Sequence, residues 1–246
     1  MTRFAVQIGW DDVPHLTPAQ KDEMLDAFPL HERDARAKGV PMLGSGRIYP
    51  IDEKELIVSP VEIPRYWPRA YGFDPGWKTT AAVWGAWDRE NDVVYLTSEH
   101  YQGQQPPQVH ADAIRRRGDW IPGASDPSAH GVINHKDGTT LHQEYADLGL
   151  MLIPADNAVE AGIMALYKRM ASGRLKVFST LVNWIREFRI YRRDEDGKVV
   201  KENDHAMDAT RYLIMTGMRH AVTAPVDEDE ISFGRHNDGR SPISGY

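Results

Sequence analysis

The chain has 246 residues, 41% hydrophobic and 26% charged, so it can bury a large core and has the composition of an ordinary globular protein. It contains no cysteine, which excludes a disulfide framework and a thiolate metal site and fits a reducing cytosol. The formal charge of −7 argues against a generally basic nucleic-acid binder, although a local basic patch can act against an acidic mean. No apolar run of about 18 residues and no signal peptide are present, so no membrane contact is expected.

Residues 1–68 are expected to form an appendage rather than a compact domain. The stretch FAVQIGW (4–10) suits one strand. TPAQKDEMLDAF (17–28) suits a helix with Thr17 as its N-cap and Pro18 at the first helical position. Prolines and glycines then interrupt the chain repeatedly, and KELIVSPVEIP (54–64) is expected to be extended.

Residues 69–220 begin with strands and then alternate between helices and strands. Three strands with short links, RAYGFD (69–74), TTAAVWGAW (79–87) and DVVYLTSEHY (92–101), predict an antiparallel meander. The elements predicted after them are a helix at 107–118, an apolar piece at 120–126, a helix at 139–148, a strand at 149–156, a helix at 157–173, a strand at 174–178, a helix at 179–188 capped by Ser179, a hairpin at 188–203 and a helix at 204–220.

This order of elements predicts an α/β fold. A three-strand antiparallel meander followed by α/β units gives a mixed sheet flanked by helices, which is the outline of the ribonuclease H-like fold. Trp77, Trp84 and Trp87 are expected to pack in the interior. Residues 221–246 carry the run DEDE and scattered Gly, Pro and Ser, and are expected to be a disordered tail.

The stretch GFDPGWKTT (72–80) places an aspartate at the end of a predicted strand. A phosphate-binding loop is a weak interpretation, because Gly72 and Gly76 are four apart and Trp77 separates Gly76 from Lys78. The residues that follow are small, β-branched and aromatic, which favours a second strand over a helix. Asp74 is therefore predicted to be an acidic group presented at a strand end.

Three other aspartates are candidates to join Asp74. Asp126 ends the apolar piece WIPGASD, and Asp204 and Asp208 open the last predicted helix on one of its faces. If the two strands are neighbours and the helix packs across their ends, three or four carboxylates converge. Carboxylate oxygens suit Mg²⁺ or Mn²⁺, and two such ions about 3.5–4 Å apart can hold the attacking water and the leaving oxygen of a phosphodiester.

Each of these acids also has a structural interpretation. An Asp before Pro or Gly is commonly a turn former, which applies to Asp74 and Asp126. Asp204 can be a helix N-cap, a role that does not exclude metal binding. Asp208 can pair with Arg211 or Arg186. Only the joint pattern favours a functional site.

The chain resembles the large terminase subunit of tailed bacteriophages, which cuts and packages viral DNA. The resemblance covers residues 1 to about 219 and is closest in YGFDPGWKTTAAVWG, in ASDPS and in the run that ends with NDHAMDATRY. That family pairs an N-terminal packaging ATPase with a C-terminal nuclease of ribonuclease H-like fold. The resemblance implies that residues 1–68 are the tail of the ATPase domain and a linker, and that 69–220 are the nuclease domain.

The resemblance also implies an activity, a site and partners. The family's nuclease uses an acidic triad and two divalent cations, Mg²⁺ or Mn²⁺, and the triad falls on Asp74, Asp126 and either Asp204 or Asp208. The implied activity is metal-dependent endonucleolytic cleavage of concatemeric double-stranded viral DNA during packaging. The small terminase subunit and the procapsid portal are the implied partners, in the host cell cytoplasm. The family's ATPase phosphate loop is absent, so the sequence is expected to be a fragment that does not hydrolyse ATP.

Several side chains are candidates for contact with DNA phosphates or for an auxiliary role, and solvated helix and hairpin faces are the alternative interpretation. The DNA-binding candidates are Lys78, Arg186, Arg189, Arg192 and Arg193. His205, beside Asp204, is the possible auxiliary residue for a metal-bound water.

Other functions share parts of this pattern. An actin-like or sugar-kinase fold also begins with a meander, but it needs a duplicated second half with its own phosphate loop, and none is found. A resolvase, transposase or integrase would keep the fold with another DNA substrate. A non-catalytic DNA- or capsid-docking module would keep the acids as structural residues.

Overall fold

The computed structural model describes residues 10, 16–26, 37, 46–127, 140–194 and 196–225. Over these ranges no helix has both the length and the apolar character needed to cross a membrane. The predicted strand at 4–10 falls outside the described residues except for Trp10, and so do residues 226–246 of the predicted tail.

A seven-stranded mixed sheet is the centre of the fold, in the order β1-β7-β4-β3-β2-β5-β6. The three central strands β2, β3 and β4 are antiparallel, β7 runs parallel to β4 and β1, and β5 runs parallel to β2 and β6. The strands are β1 (Ile57–Val58), β2 (Arg69–Asp74), β3 (Thr80–Asp88), β4 (Val93–Gln102), β5 (Gly123–Ser125), β6 (Leu152–Pro154) and β7 (Leu175–Phe178).

Helices cover both faces of the sheet. The helices of the described residues are α1 (Pro18–Asp26), α2 (Glu53–Leu56), α3 (Pro107–Arg115), α4 (Leu141–Asp147), α5 (Val159–Ala171), α6 (Val182–Ile190) and α7 (His205–Met215), with a 3-10 turn at Gly217–His220. Of these, α3 and α4 pack on one face of the sheet and α5, α6 and α7 on the other. The prediction of an α/β fold with a three-strand meander followed by α/β units is therefore confirmed.

The core has two parts, one on each face of the sheet, and β2 and β3 contribute alternate side chains to both. Successive residues of a strand point to opposite faces of the sheet. On β2, Ala70 packs on the face covered by α5, α6 and α7, whereas Tyr71 and Phe73 pack on the face covered by α3 and α4. On β3, Val83 and Trp84 divide in the same way. Both faces of the central strands are therefore buried.

Helix α7 lies directly against β2, and Gly72 makes this approach possible. A Cβ built on Gly72 would overlap the carbonyl oxygen of Ala209, in the middle of α7. Ala209 itself is fully buried. Glycine is used where two backbones come this close, because any side chain would push them apart.

Parts of the predicted linker (1–68) and of the predicted tail (221–246) form backbone hydrogen bonds with the sheet. β1, at residues 57–58, pairs with β7. Before it, the carboxylate of Asp52 accepts a 3.0 Å hydrogen bond from the backbone N–H of Lys54 and caps the short α2, so 54–64 is only partly extended. At the other end Arg69 and Val222 exchange two backbone hydrogen bonds of 2.7 and 3.1 Å. The hydrogen-bonded structure thus extends beyond 69–220.

Three local predictions were wrong. Helix α6 begins at Val182 without a side-chain cap from Ser179, because Glu99 of β4 binds its first N–H groups instead. The predicted hairpin is shorter than 188–203, since α6 continues to Ile190 and the strand bridge joins Arg193 to Val199. Trp77 is 71% exposed rather than packed in the interior.

Replacing Gly72 with Ala should destabilise the fold by about 3 kcal/mol or more, because α7 must move away from β2 to admit the methyl group. The matched control is Gly197→Ala, where nothing lies within 4 Å and the only penalty is the left-handed backbone at φ +77°, about 1 kcal/mol. Urea unfolding of both variants measures the difference. Equal losses would show that the approach of α7 to β2 is not tight.

Candidate active site

Asp74 and Asp126 lie side by side at the carboxyl edge of the sheet. β2 and β5 are parallel neighbours, and Phe73 pairs with Ser125, so each aspartate follows directly after a paired residue. The backbone N–H of Asp126 donates a 3.1 Å hydrogen bond to the carbonyl oxygen of Phe73. The parallel pairing of two short strands therefore sets the spacing of these two acids.

Helix α7 brings its own first turn to the same edge. The Nδ1 N–H of His205, the first residue of α7, donates to the Oδ2 of Asp74 at 2.8 Å. The side chain of Asp74 is only 15% exposed. The hydrogen bond to Asp74 raises the pKa of His205, while burial of the imidazole opposes the rise. His205 therefore joins the helix start to the end of β2.

The charges of two other carboxylates act on Asp74. Burial raises the pKa of Asp74, the hydrogen bond from His205 opposes the rise, and the charges of Asp208 and Asp126 add to it. The phenol of Tyr212 lies buried against Ala124 of β5, and its pKa is raised first by burial and then by the charges of Asp208, Asp126 and Asp74. Asp74 and Asp208 thus lie near enough to Tyr212 and to Asp126 for their charges to act on one another.

Asp204 and Asp208 are neutralised by cations of the chain itself. The ammonium Nζ of Lys201 lies 3.4 Å from the Oδ2 of Asp204 and 3.2 Å from the Oδ2 of Asp208. The buried guanidinium of Arg211 lies 3.1 Å from the Oδ1 of Asp208 and also bonds the side-chain oxygen of Asn157 at 3.0 Å. Of the two predicted partners of Asp208, the structure has Arg211 and not Arg186.

The start of α7 is held by a buried glutamate that the sequence analysis did not single out. Asp204 occupies the N-cap position but makes no capping hydrogen bond with its side chain. Instead the Oε2 of Glu187, on α6, accepts from the backbone N–H of Ala206 at 2.6 Å, and its Oε1 accepts from the hydroxyl of Tyr101 at 2.6 Å. Glu187 is completely buried, and burial raises its pKa.

A second glutamate holds α6 in the same manner. The Oε1 of Glu99 accepts from the backbone and side-chain N–H groups of Asn183, and its Oε2 accepts from the backbone N–H of Trp184, all at 2.9 Å. Carboxylates at helix starts satisfy N–H groups that have no partner inside the helix. β4 therefore positions α6 through Glu99, and α6 positions α7 through Glu187.

The donor atoms at this edge fit a hard divalent cation in their chemistry. They are carboxylate oxygens, and the buried Oδ2 of Asp204 has only its 3.4 Å ion pair with Lys201. Within the described ranges, however, no three His, Asp or Glu side chains are gathered into a metal-binding group. Residues 128–139, which follow Asp126 by one residue, lie outside the described residues. Lys201 and Arg211 form ion pairs with Asp204 and Asp208, and His205 donates a hydrogen bond to Asp74.

The predicted DNA-contacting cations differ in their surroundings. Arg189 and Arg193 form bidentate pairs with Glu53 and Glu160. The guanidinium of Arg186 lies 5.4 Å from the centre of the Tyr101 ring. Arg192 and Lys78 are exposed. The contribution of all five to DNA binding stays a prediction.

The mixed sheet with paired acids at its carboxyl edge defines a ribonuclease H-like domain, and the fold predicted from the sequence is confirmed. The family model described as Terminase RNaseH-like domain matches residues 71–216. The chain therefore belongs to this family and corresponds to the nuclease domain of terminase large subunits.

Curated relatives and solved structures agree with this assignment. The chain is 37% identical to the large terminase subunits of Enterobacteria phage LP7 and Salmonella phage P22, over 85% and 83% of its own length. It covers 45% and 42% of those proteins, less than half of each. The nuclease domain of the P22 large terminase matches with a TM-score of 0.66 and 35% identity, over 73% of this chain and 96% of that one.

A more distant structure shares only the fold. The large terminase nuclease from thermophilic phage G20c, solved with bound cobalt, matches with a TM-score of 0.52 and 14% identity. The match covers 70% of this chain and 98% of that chain.

Replacing Glu187 with Leu should destabilise the domain by about 2 kcal/mol, because the N–H of Ala206 and the hydroxyl of Tyr101 lose their buried acceptor. Glu187→Gln should retain most of the stability, since an amide can accept from the helix and donate to the tyrosine. Urea unfolding provides the measurement. A Leu variant as stable as the wild type would show that Glu187 does not hold α7.

Proposed function

We propose that this chain is a metal-dependent endonuclease that cleaves concatemeric double-stranded viral DNA during genome packaging. The observation that carries the proposal is the placement of Asp74 and Asp126 side by side at the ends of β2 and β5, with the start of α7 hydrogen-bonded to Asp74 through His205. Membership of the terminase RNaseH-like family supports the same reaction class.

The acids are proposed to hold two divalent cations, Mg²⁺ or Mn²⁺. When bound, such ions supply activation of water and stabilisation of the leaving oxygen in phosphodiester hydrolysis. Between the two helix acids left open by the sequence, Asp208 is the better third member, because its charge acts on both Asp74 and Tyr212 together with that of Asp126. Asp204 lies one turn earlier on α7 and adds a further carboxylate.

The chain's own residues orient these carboxylates. His205 holds one oxygen of Asp74 and leaves the other for a ligand, so it is proposed as a positioning residue. Arg211 holds the Oδ1 of Asp208. Lys201 offsets the repulsion between Asp204 and Asp208. These contacts keep the acids in place in a partly buried site, where unpaired like charges would oppose folding.

The wider setting is also part of the proposal. The substrate is double-stranded DNA, held through its phosphates by exposed basic residues such as Lys78 and Arg192. By analogy with full-length large terminases, the small subunit and the procapsid portal are proposed as partners in the host cytoplasm. Residues 1–68 are proposed to be the ATPase tail and linker, and ATP hydrolysis is not proposed for this chain.

Plasmid DNA incubated with the chain and Mn²⁺ or Mg²⁺ should be nicked and linearised with little sequence preference, and EDTA should abolish the cutting. Asp74→Asn and Asp126→Asn should lower the cleavage rate by at least about 100-fold, because each removes a charged ligand. Gel electrophoresis of supercoiled plasmid measures the rate.

Asp112→Asn, at an exposed acid of α3 paired with Arg115, is the matched control and should cut at the wild-type rate. A chain that does not cut under any metal condition would favour a non-catalytic docking module. Resolution of branched DNA in preference to plasmid would favour a resolvase-type nuclease.

Lys201→Met should lower the melting temperature without metal and increase the rise caused by millimolar Mn²⁺. The ammonium of Lys201 neutralises two carboxylates in the absence of metal, so its removal increases both their repulsion and their need for a cation. Lys198→Met, at the exposed hairpin, should respond to Mn²⁺ as the wild type does. Thermal unfolding with and without Mn²⁺ measures both. An unchanged metal response in Lys201→Met would contradict this role.

A further inference from the structure

A pocket rich in arginine lies next to the segment that leads into α7. It is a pocket of about 400 Å³ between the segment after Gly46, the end of α6 and the chain that leads into α7. Its lining residues are Arg47, Arg189, Ile190, Arg192, Val200, Glu202 and Asn203. Asn203 is followed directly by Asp204, so the pocket adjoins the first turn of α7.

Two of these arginines face each other across a strand bridge. Arg47 and Arg192 are antiparallel partners. The backbone hydrogen bonds run from Ile48 to Tyr191 at 3.0 Å and from Arg193 to Gly46 at 2.6 Å, on either side of the pair. This is the narrow, non-hydrogen-bonded type of antiparallel pair, in which opposed side chains are closest. Like charges in this position are destabilising, so the pairing has a cost that an anion between them would offset.

The arginines of the pocket are only partly compensated by the described residues. Arg189 is held by two 2.7 Å hydrogen bonds to Glu53. The guanidinium of Arg47 lies 5.4 Å from the centre of the Phe188 ring, and its Nε and Nη2 are buried without hydrogen-bond partners. Arg192 is exposed, with no ion pair in the described part of the chain.

The charge balance limits what the pocket can hold. Among the described residues, three guanidinium groups and Glu202 line the pocket and Glu53 pairs with Arg189 beside it, which leaves one net positive charge over these groups. A phosphodiester group carries a single negative charge, whereas a free nucleotide polyphosphate carries several. Guanidinium groups suit phosphate oxygens because they present parallel N–H donors.

We infer that Arg47, Arg189 and Arg192 form a binding pocket for one backbone phosphate of DNA, adjacent to the acidic edge. The inference rests on the proposed function in its choice of DNA as the source of the phosphate. The pocket contacts phosphate and reads no base, so it positions the duplex without adding sequence preference. Of the DNA-binding candidates predicted from the sequence, the pocket contains Arg189 and Arg192. Arg47 is a further residue that the sequence did not suggest.

Binding of a fluorescent duplex to the Asp74→Asn chain tests the pocket without interference from cleavage. Arg192→Gln and Arg47→Gln should each weaken binding by about tenfold at low salt and reduce the slope of log affinity against log salt concentration by about 1. Arg174→Gln is the matched control, since Arg174 is an exposed arginine paired with Asp92 at the start of β7. It should leave both quantities unchanged. Arg192 has an exposed side chain opposite Arg47, so its variant should melt at or above the wild-type temperature.

Thermal unfolding with inorganic phosphate and with a nucleoside triphosphate distinguishes the source of the phosphate. If either stabilises the chain and Arg192→Gln removes the effect while duplex binding is unchanged, the pocket binds free phosphate compounds and the DNA assignment is overturned. If both arginine variants keep the wild-type slope of log affinity against log salt concentration, the pocket does not bind a DNA phosphate. This conclusion would hold even if the wild type cuts plasmid. Failure of the wild type to cut, with the slope reduced as expected, would instead overturn the nuclease proposal and leave the pocket standing.

Discussion

The close packing of α7 on β2 is the constraint on which the site depends. Gly72 lets the two backbones meet at Ala209, and the carboxylate of Glu187 fixes where the helix begins. Because the helix is held at its middle and at its start, the carboxylate of Asp208 has one position relative to the strand ends that carry Asp74 and Asp126. A shift of α7 by one residue would turn its acids by about 100° away from the sheet edge.

This packing gathers negative charge where burial makes charge costly. Nearby side chains stabilise this charge: Arg211 and Lys201 form ion pairs with acids three to seven residues away, and His205 donates a hydrogen bond to Asp74 from 131 residues away. These contacts reduce the repulsion between the acids. A cation bound at the proposed site would have to replace or share them.

The sequence was informative where a local pattern determines the structure. Strands β2, β3 and β4 follow from apolar and β-branched runs, and Asp74 and Asp126 lie at strand ends as predicted. Their catalytic role stays a prediction. The caps were not predictable, since Ser179 was a reasonable local cap for α6, but Glu99 lies 84 residues from the N–H group it binds. From the sequence, Glu187 is expected to face solvent on its helix. It is buried because Tyr101 and the start of α7 pack against it in the folded chain. Arg47 likewise meets the ring of Phe188 and its bridge partner Arg192 only through tertiary folding.

The pairing of β1 with β7 has a consequence for how the domain behaves when it is isolated. β1 is short, but it covers Val177 and Phe178, the last residues of β7, and on the other side of the sheet centre Val222 covers Arg69. A domain trimmed to residues 69–220 would lose both pairing partners. β7 would then be an edge strand with unpaired N–H and carbonyl groups. Such edges recruit strands from other molecules and promote aggregation. The segment before residue 69 thus acts as edge protection for the sheet, whatever else it connects.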